Sequence, residues 1–376
     1  MYSRVEPVPG YEQARHLLWR AGFGGTPTQI QTLVGWGPER AVDHLLGDAR
    51  AGADAPLDAG RFKTDIMKPP TVEERQMIQR ARRGQDEDVL ARLRLARMDR
   101  EREDRRQIAD MQRWWLTRMI ETPRPLVEKM TLFWHGHFAT GYRAIENSWH
   151  MMMQNQLFRR LALGNFGELL RGIIRDPAML AYLNNNQNRR ESPNENLARE
   201  LMELFGLGIG RYSERDIKEG ARALTGYTFE HNEFVFNRRA HDPNPKTILG
   251  QTGRWDGDDF VRIILAQPAC AAFIARKLYG FYVADLPPLE AADGDRDLDP
   301  AARSAIADLA RELRSGGYEL RPVMRRLLLS EHFYDRRVMG QQIKSPAVLV
   351  VGAARSLEAP TRDLGVLLDA MLSFQS

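Results

Sequence analysis

Residues 86–121, DEDVLARLRLARMDREREDRRQIADMQRWWLTRMIE, decide the fold class. Leu90, Leu93, Ala96 and Ile108 fall on one stripe, while the other faces carry Arg and Glu at spacings that pair one helical turn apart. Asp86, Glu87 and Asp88 suit the positive start of a helix, and Pro123 and Pro125 stop it. With Gly84 as a break, 71–122 is expected to be a charged helical hairpin projecting from the body. Such a hairpin serves either as solvated scaffold or as an arm for a protein partner.

The same 3.6-residue periodicity continues on both sides. Before the hairpin, helices are predicted over 11–22, from Pro27 with Thr26 as N-cap, and from Pro38. Residues 47–70 read as loop. After it, Pro125 starts a helix through KMTLFWHGHFAT (129–140), and further helices are predicted over 144–163, 166–175, 193–206, 214–225, 257–266, 269–283, 300–315, 321–331, 344–357 and 361–374. Strand signals are scarce. YTFEHNEFVFN (227–237) alternates around His231-Asn232 and predicts one small hairpin, and 285–300 reads as a Pro- and Asp-rich surface loop. The expected fold is mainly α, a single multi-helical domain over 1–376 with at most a minor β-hairpin.

Composition excludes some classes. The net charge is +4 and the pI about 9.2, yet bases and acids interleave. Residues 72–113 hold 12 Arg against 10 Asp plus Glu, not the single-sign stripe a nucleic-acid groove needs, so no nucleic acid is expected. No apolar run reaches the roughly 18 residues that span a bilayer. The first residues show no basic start followed by an apolar stretch, so the reading is cytoplasmic unless the N-terminus has been trimmed. The one cysteine, Cys270, reads as a small buried hydrophobe.

Four segments carry candidate chemistry. His135 and His137 stand two apart among aromatic residues; on a helix they diverge by about 200°, and unwinding at Gly136 would let them converge. In ESPNENLARELMELFGLGIG (191–210), Ser192, Pro193 and Glu195 read as a capping box. Asn196, Glu200 and Glu203 share the rim of the apolar face, and the two carboxylates bind a cation or pair with Arg199. His241-Asp242-Pro243 supplies an imidazole and a carboxylate together, or simply a turn. Lys218 and Arg222 share one side of the helix capped by Ser213 and Asp216, an anion contact or a solvated basic edge. P-loop, G-x-S-x-G and H-E-x-x-H signatures are missing from the sequence.

Taken in order, HLLWRAGFGGTP (16–27), WWLTRM (114–119), EKMTLFWHGHFAT (128–140), QNQLFRRLALGNF (154–166), RDPAMLAYLNNNQN (175–188), PNENLARELMELFGLGIGRYSERDIKEGARALTGYT (193–228), HDPNPKTILGQTG (241–253) and FIARKLYGFYV (273–283) give the chain a resemblance. It resembles the bacterial family labelled "domain of unknown function 1800". The resemblance implies a large helical protein whose HGH, NEN-RE-E and HD elements belong to the family pattern, without assigning them a role.

The expectation carried forward is that His135, His137, Glu200, Glu203, His241 and Asp242 converge in one cleft. Imidazoles and carboxylates together suit a divalent transition metal, Zn, Mn or Fe, able to activate water in a metal-dependent hydrolase. The rival expectation is a non-catalytic binding or assembly protein in which the same residues form a structural salt-bridge network with Arg199 and Arg222.

Overall fold

The computed structural model describes residues 10–47, 61–287, 298–358 and 364–373. Eighteen α-helices and two small two-stranded antiparallel sheets make up the regular structure of these residues, so the protein is mainly α. None of the described helices is long and apolar enough to cross a membrane.

Local chemistry accounts for most helix starts. Thr26 accepts from the Gln29 amide and precedes Pro27, and Ser213 and Asp216 close a reciprocal capping box on the Glu214–Ala223 helix. The Val72–Gly84 helix ends where Gln85 turns left-handed, and Asp86 caps the 35-residue Glu87–Glu121 helix. That long helix changes character along its length. Its first half is largely exposed, but Asp104, Gln107, Met111, Trp114, Leu116 and Met119 are buried, so its C-terminal half is a wall of the body. Asp104 there accepts from both the amide and the hydroxyl of Ser148, which fixes the start of the Ser148–Arg160 helix against it.

The expected hairpin forms, with Tyr227–Glu230 paired to Glu233–Phe236. A second, Lys246–Ile248 with Gln251–Gly253, was not expected and turns at Leu249-Gly250, both with positive φ. The capping box expected at Ser192 does not form. The helix begins at Asn196, because Asn188 Oδ1 takes the Asn194 amide and Asn194 Oδ1 takes the Asn196 amide. This helix then widens into a π-helical turn over Leu201–Gly206. The loop expected over 285–300 lies mostly outside the described residues.

One apolar cluster runs from Ala14 to Val338 and unites helices from both ends of the chain. Trp134, Phe138, Phe158 and Phe166 are fully buried within it. Its importance for function is that it brings the Tyr11–Arg20 helix, the Pro125–His137 helix and the chain after Phe333 to one side of the molecule.

Candidate functional site

The Pro125–His137 helix runs unbroken through Gly136, so His135 and His137 point to different surroundings. Half-buried His135 lies between Trp115 and Phe158, and its Nε2 accepts from Asn155 Nδ2 at 3.0 Å. Asn155 in turn takes Arg159, which with Arg118 and Trp115 Nε1 saturates the buried Glu128 carboxylate. Burial alone would raise the Glu128 pKa, but the Arg159 charge and hydrogen bonds prevail and hold it below its ordinary value. His137 donates from Nε2 to the Phe205 carbonyl at 3.0 Å, one of the orphan acceptors at the end of the π-helical turn. Burial, with the nearby Lys277 charge, pushes its pKa down to about 3, so the ring is neutral.

The remaining candidates are engaged elsewhere. Glu203 accepts from the Tyr212 hydroxyl, and Glu200 is raised in pKa by burial and by Glu203. Arg199 pairs with Glu195 at 3.2 Å and with Glu214 at 2.9 Å. Arg222 lies between Asp242, at 2.7 Å, and Glu219, at 2.9 Å. His241 donates from Nδ1 to the Thr225 carbonyl. Asn196 and Lys218 are exposed. The structure does not gather these side chains. Among the described residues, no three His, Cys, Asp or Glu side chains stand together so as to hold a metal. The physical reason is that the candidates are engaged separately: Asp242 by Arg222, His137 and His241 by main-chain carbonyls, His135 by Asn155 and Glu203 by Tyr212.

The structure instead brings together residues that the sequence reading missed. A cavity of about 780 Å³ is lined by Arg15, His16, Trp19 and Arg20 of the first helix, by Lys129, and by the 336–348 segment that leads into the Pro346–Ser356 helix. Its walls carry Arg15, Arg20, Lys129, Arg336 and Lys344 against one acid, Glu12. Lys129 is only 4% exposed. Its Nζ sits 5.1 Å from the Phe23 ring and 5.5 Å from the Phe281 ring, and no hydrogen-bond acceptor or carboxylate partners it among the described residues. Burial, then the charges of Arg20 and Lys344, lowers its pKa from 10.5 to about 7. Arg20 is anchored on main chain, donating to the Tyr282 carbonyl at 2.7 Å and the Phe281 carbonyl at 3.2 Å, and its side chain also meets Gln342. Lys344 Nζ lies 3.3 Å from the centre of the Trp19 ring. His16 is buried with Nε2 unpartnered, and burial holds it neutral at a pKa of about 4.

A second cavity, about 550 Å³, shares Phe281 and Gln342 with the first and is lined by Phe133, His137, Arg276, Lys277 and Asp285. The buried Nδ1 of His137 has no partner. Lys129, Phe133 and His137 recur every four residues, so one helix stripe serves both cavities. The sequence signal was present but slight. Seven lysines stand against 47 arginines, and one of the seven sits eight residues before His137 inside an apolar run.

No curated protein and no solved structure matches the chain significantly. A family model does, over residues 16–374, nearly the whole length and through every motif quoted above. The chain therefore belongs to the family described as protein of unknown function, DUF1800.

Proposed function

We propose that this protein binds a small organic anion in the cavity between the first helix, Lys129 and the 336–348 segment. The observation that carries this reading is a buried amine without a counter-ion in a pocket of predominantly positive charge. A cation largely withdrawn from water with no carboxylate beside it is costly, and an anion bound in the cavity that Lys129 lines supplies the missing charge. The aromatic faces of Trp19 and Phe281 provide an apolar wall, as small-molecule sites commonly do. Metal-dependent hydrolysis by the histidines and carboxylates has no comparable support, since Arg199 and Arg222 are spent on their acidic neighbours. Those pairs favour the non-catalytic reading for their part of the molecule, as a salt-bridge network that holds the 190–250 region together.

Thermal unfolding with pyruvate, citrate and inorganic phosphate tests the proposal. An anion at a hundred times its Kd adds about 2.7 kcal/mol of stability. The shift should shrink with salt and disappear in the Arg15→Glu, Lys344→Glu double variant, whose changes lie on the exposed rim. Equal shifts in wild type and variant, or none in either, would refute it.

A further inference from the structure

We infer that the Lys129 amine condenses with the carbonyl carbon of a small 2-oxo carboxylic acid seated in this cavity, forming an imine. The inference rests on the anion-binding reading and adds a reaction to it. Two features select the ligand class. The positive rim, chiefly Arg15, Arg20 and Lys344, calls for a carboxylate. The position of Lys129 admits an electrophile, because its Nζ lines the cavity wall between two aromatic rings that limit water and no hydrogen-bonding group consumes its lone pair. Lysine differs from arginine in this respect. Its amine loses a proton when desolvated and then becomes a nucleophile, which a guanidinium cannot do. The lowered proton affinity of Lys129 leaves a substantial neutral fraction near neutral pH. Lys246, the other buried lysine, is spent on the carbonyls of Asp242 and Asn244.

The step balances without an oxidant or a reductant. The Nζ lone pair forms a C–N bond, and the carbonyl π pair moves to oxygen and takes a proton from the amine. The nitrogen lone pair of this carbinolamine then forms the C=N bond, and the hydroxyl leaves with a proton as water. The charges acting on the amine are those of Arg20 and Lys344. His16 and Glu12 also line the cavity, and Asp285, which accepts from the Ile343 amide, acts on Arg20.

Reductive trapping tests this. The full chain is incubated near pH 8 with glyoxylate, pyruvate or 2-oxoglutarate plus borohydride, which delivers hydride to the imine carbon and leaves a stable secondary amine. Peptide mapping should place one adduct on Lys129 ahead of the exposed Lys63, Lys68, Lys218, Lys277 and Lys344, and lactate, which lacks the carbonyl, should compete. Lys129→Met should lose that adduct; mapping on the wild type decides the matter even where the variant folds poorly. If lactate and pyruvate raise the melting temperature but no oxo acid labels Lys129, imine formation is overturned and anion binding stands. With neither thermal shift nor label, both fall. Labelling spread evenly over surface lysines also overturns the inference.

Discussion

Replacing Lys129 by methionine should stabilise the protein, and by an amount that depends on pH. Methionine keeps most of the side-chain volume and removes the amine. A pKa lowered from 10.5 to about 7 in the folded chain corresponds to roughly 5 kcal/mol, at about 1.36 kcal/mol per tenfold change in proton affinity. The sign follows from linkage. Between about pH 7 and 10.5 the unfolded chain holds a proton that the folded chain has released, so wild-type stability rises with pH across that window. Below pH 7 both states are protonated and the full penalty applies. At pH 9 only the cost of deprotonating the unfolded amine remains, roughly 2 kcal/mol by the same conversion. The advantage of Lys129→Met should therefore shrink by roughly 3 kcal/mol from pH 6 to pH 9. Loss of the cation–π contacts to Phe23 and Phe281 subtracts about 0.5–2 kcal/mol below pH 7, where the amine is charged, and little at pH 9, which narrows the difference between the two pH values but keeps its sign. Urea unfolding of both proteins, followed by tryptophan fluorescence at several pH values, reads the difference directly. Parallel stability curves, or a variant weaker than wild type at pH 6, would mean that the amine is compensated in place and would remove the basis for the anion site.

Three further outcomes follow from other parts of the structure. Glu128→Ala leaves Arg159 buried without its carboxylate and should cost about 3–5 kcal/mol in urea unfolding; a loss under 1 kcal/mol would show that the network is not desolvated. His137→Phe strips the Phe205 carbonyl of its donor at the end of the π-helical turn and should cost about 1–3 kcal/mol, with faster hydrogen exchange at 205–208 as the local signature. Gly352→Ala would place a Cβ 2.2 Å from Trp19 Cζ3 and 2.7 Å from the Phe23 carbonyl. Overpacking of that kind costs about 1–3 kcal/mol, and by displacing Trp19 it should also weaken anion binding, so unchanged binding would separate Trp19 from the site.

The helices were legible because their signals are local. Thr26-Pro27, Ser213 with Asp216, and Asp86 each cap a helix with atoms three residues away or fewer, and nothing distant competes. Ser192 failed at the same task because Asn188, from the preceding turn, supplies the acceptor instead. The π-helical turn over Leu201–Gly206 left no periodic trace, since the apolar spacing of Leu197, Leu201 and Phe205 fits an α-helix equally well. The expected His/carboxylate cleft failed for a different reason. Residue type identified groups that need partners but not which partners they take: Asp242 takes Arg222, Glu203 takes Tyr212, His135 takes Asn155, and His137 and His241 take main-chain carbonyls. The cavity around Lys129 was hidden because its walls come from residues 12–20, 129, 281–283 and 336–348, and no spacing rule links segments so far apart.

Lysine usage ties these observations together. Arginine supplies nearly all the positive charge, in exposed ladders such as Arg97–Glu101 and in buried pairs such as Arg159–Glu128. A guanidinium suits both tasks, because it stays charged and binds carboxylates in a fixed fork. Of the seven lysines, Lys63, Lys68 and Lys218 are exposed away from the cavities, and Lys246 is tied to main-chain carbonyls. The other three, Lys129, Lys277 and Lys344, line the two adjoining cavities, and burial lowers the pKa of each. Only Lys129 of these three is buried, and there an amine stands where a permanent charge would be expensive and where a group able to lose its proton is useful. If the lysines served only as surface charge, Lys129→Arg would be tolerated as readily as an exchange at Lys63. The buried site predicts the opposite: arginine at 129 remains charged among Phe23, Phe281 and Arg20, and the variant should be less stable than both wild type and Lys129→Met at pH 9, where the native amine is neutral.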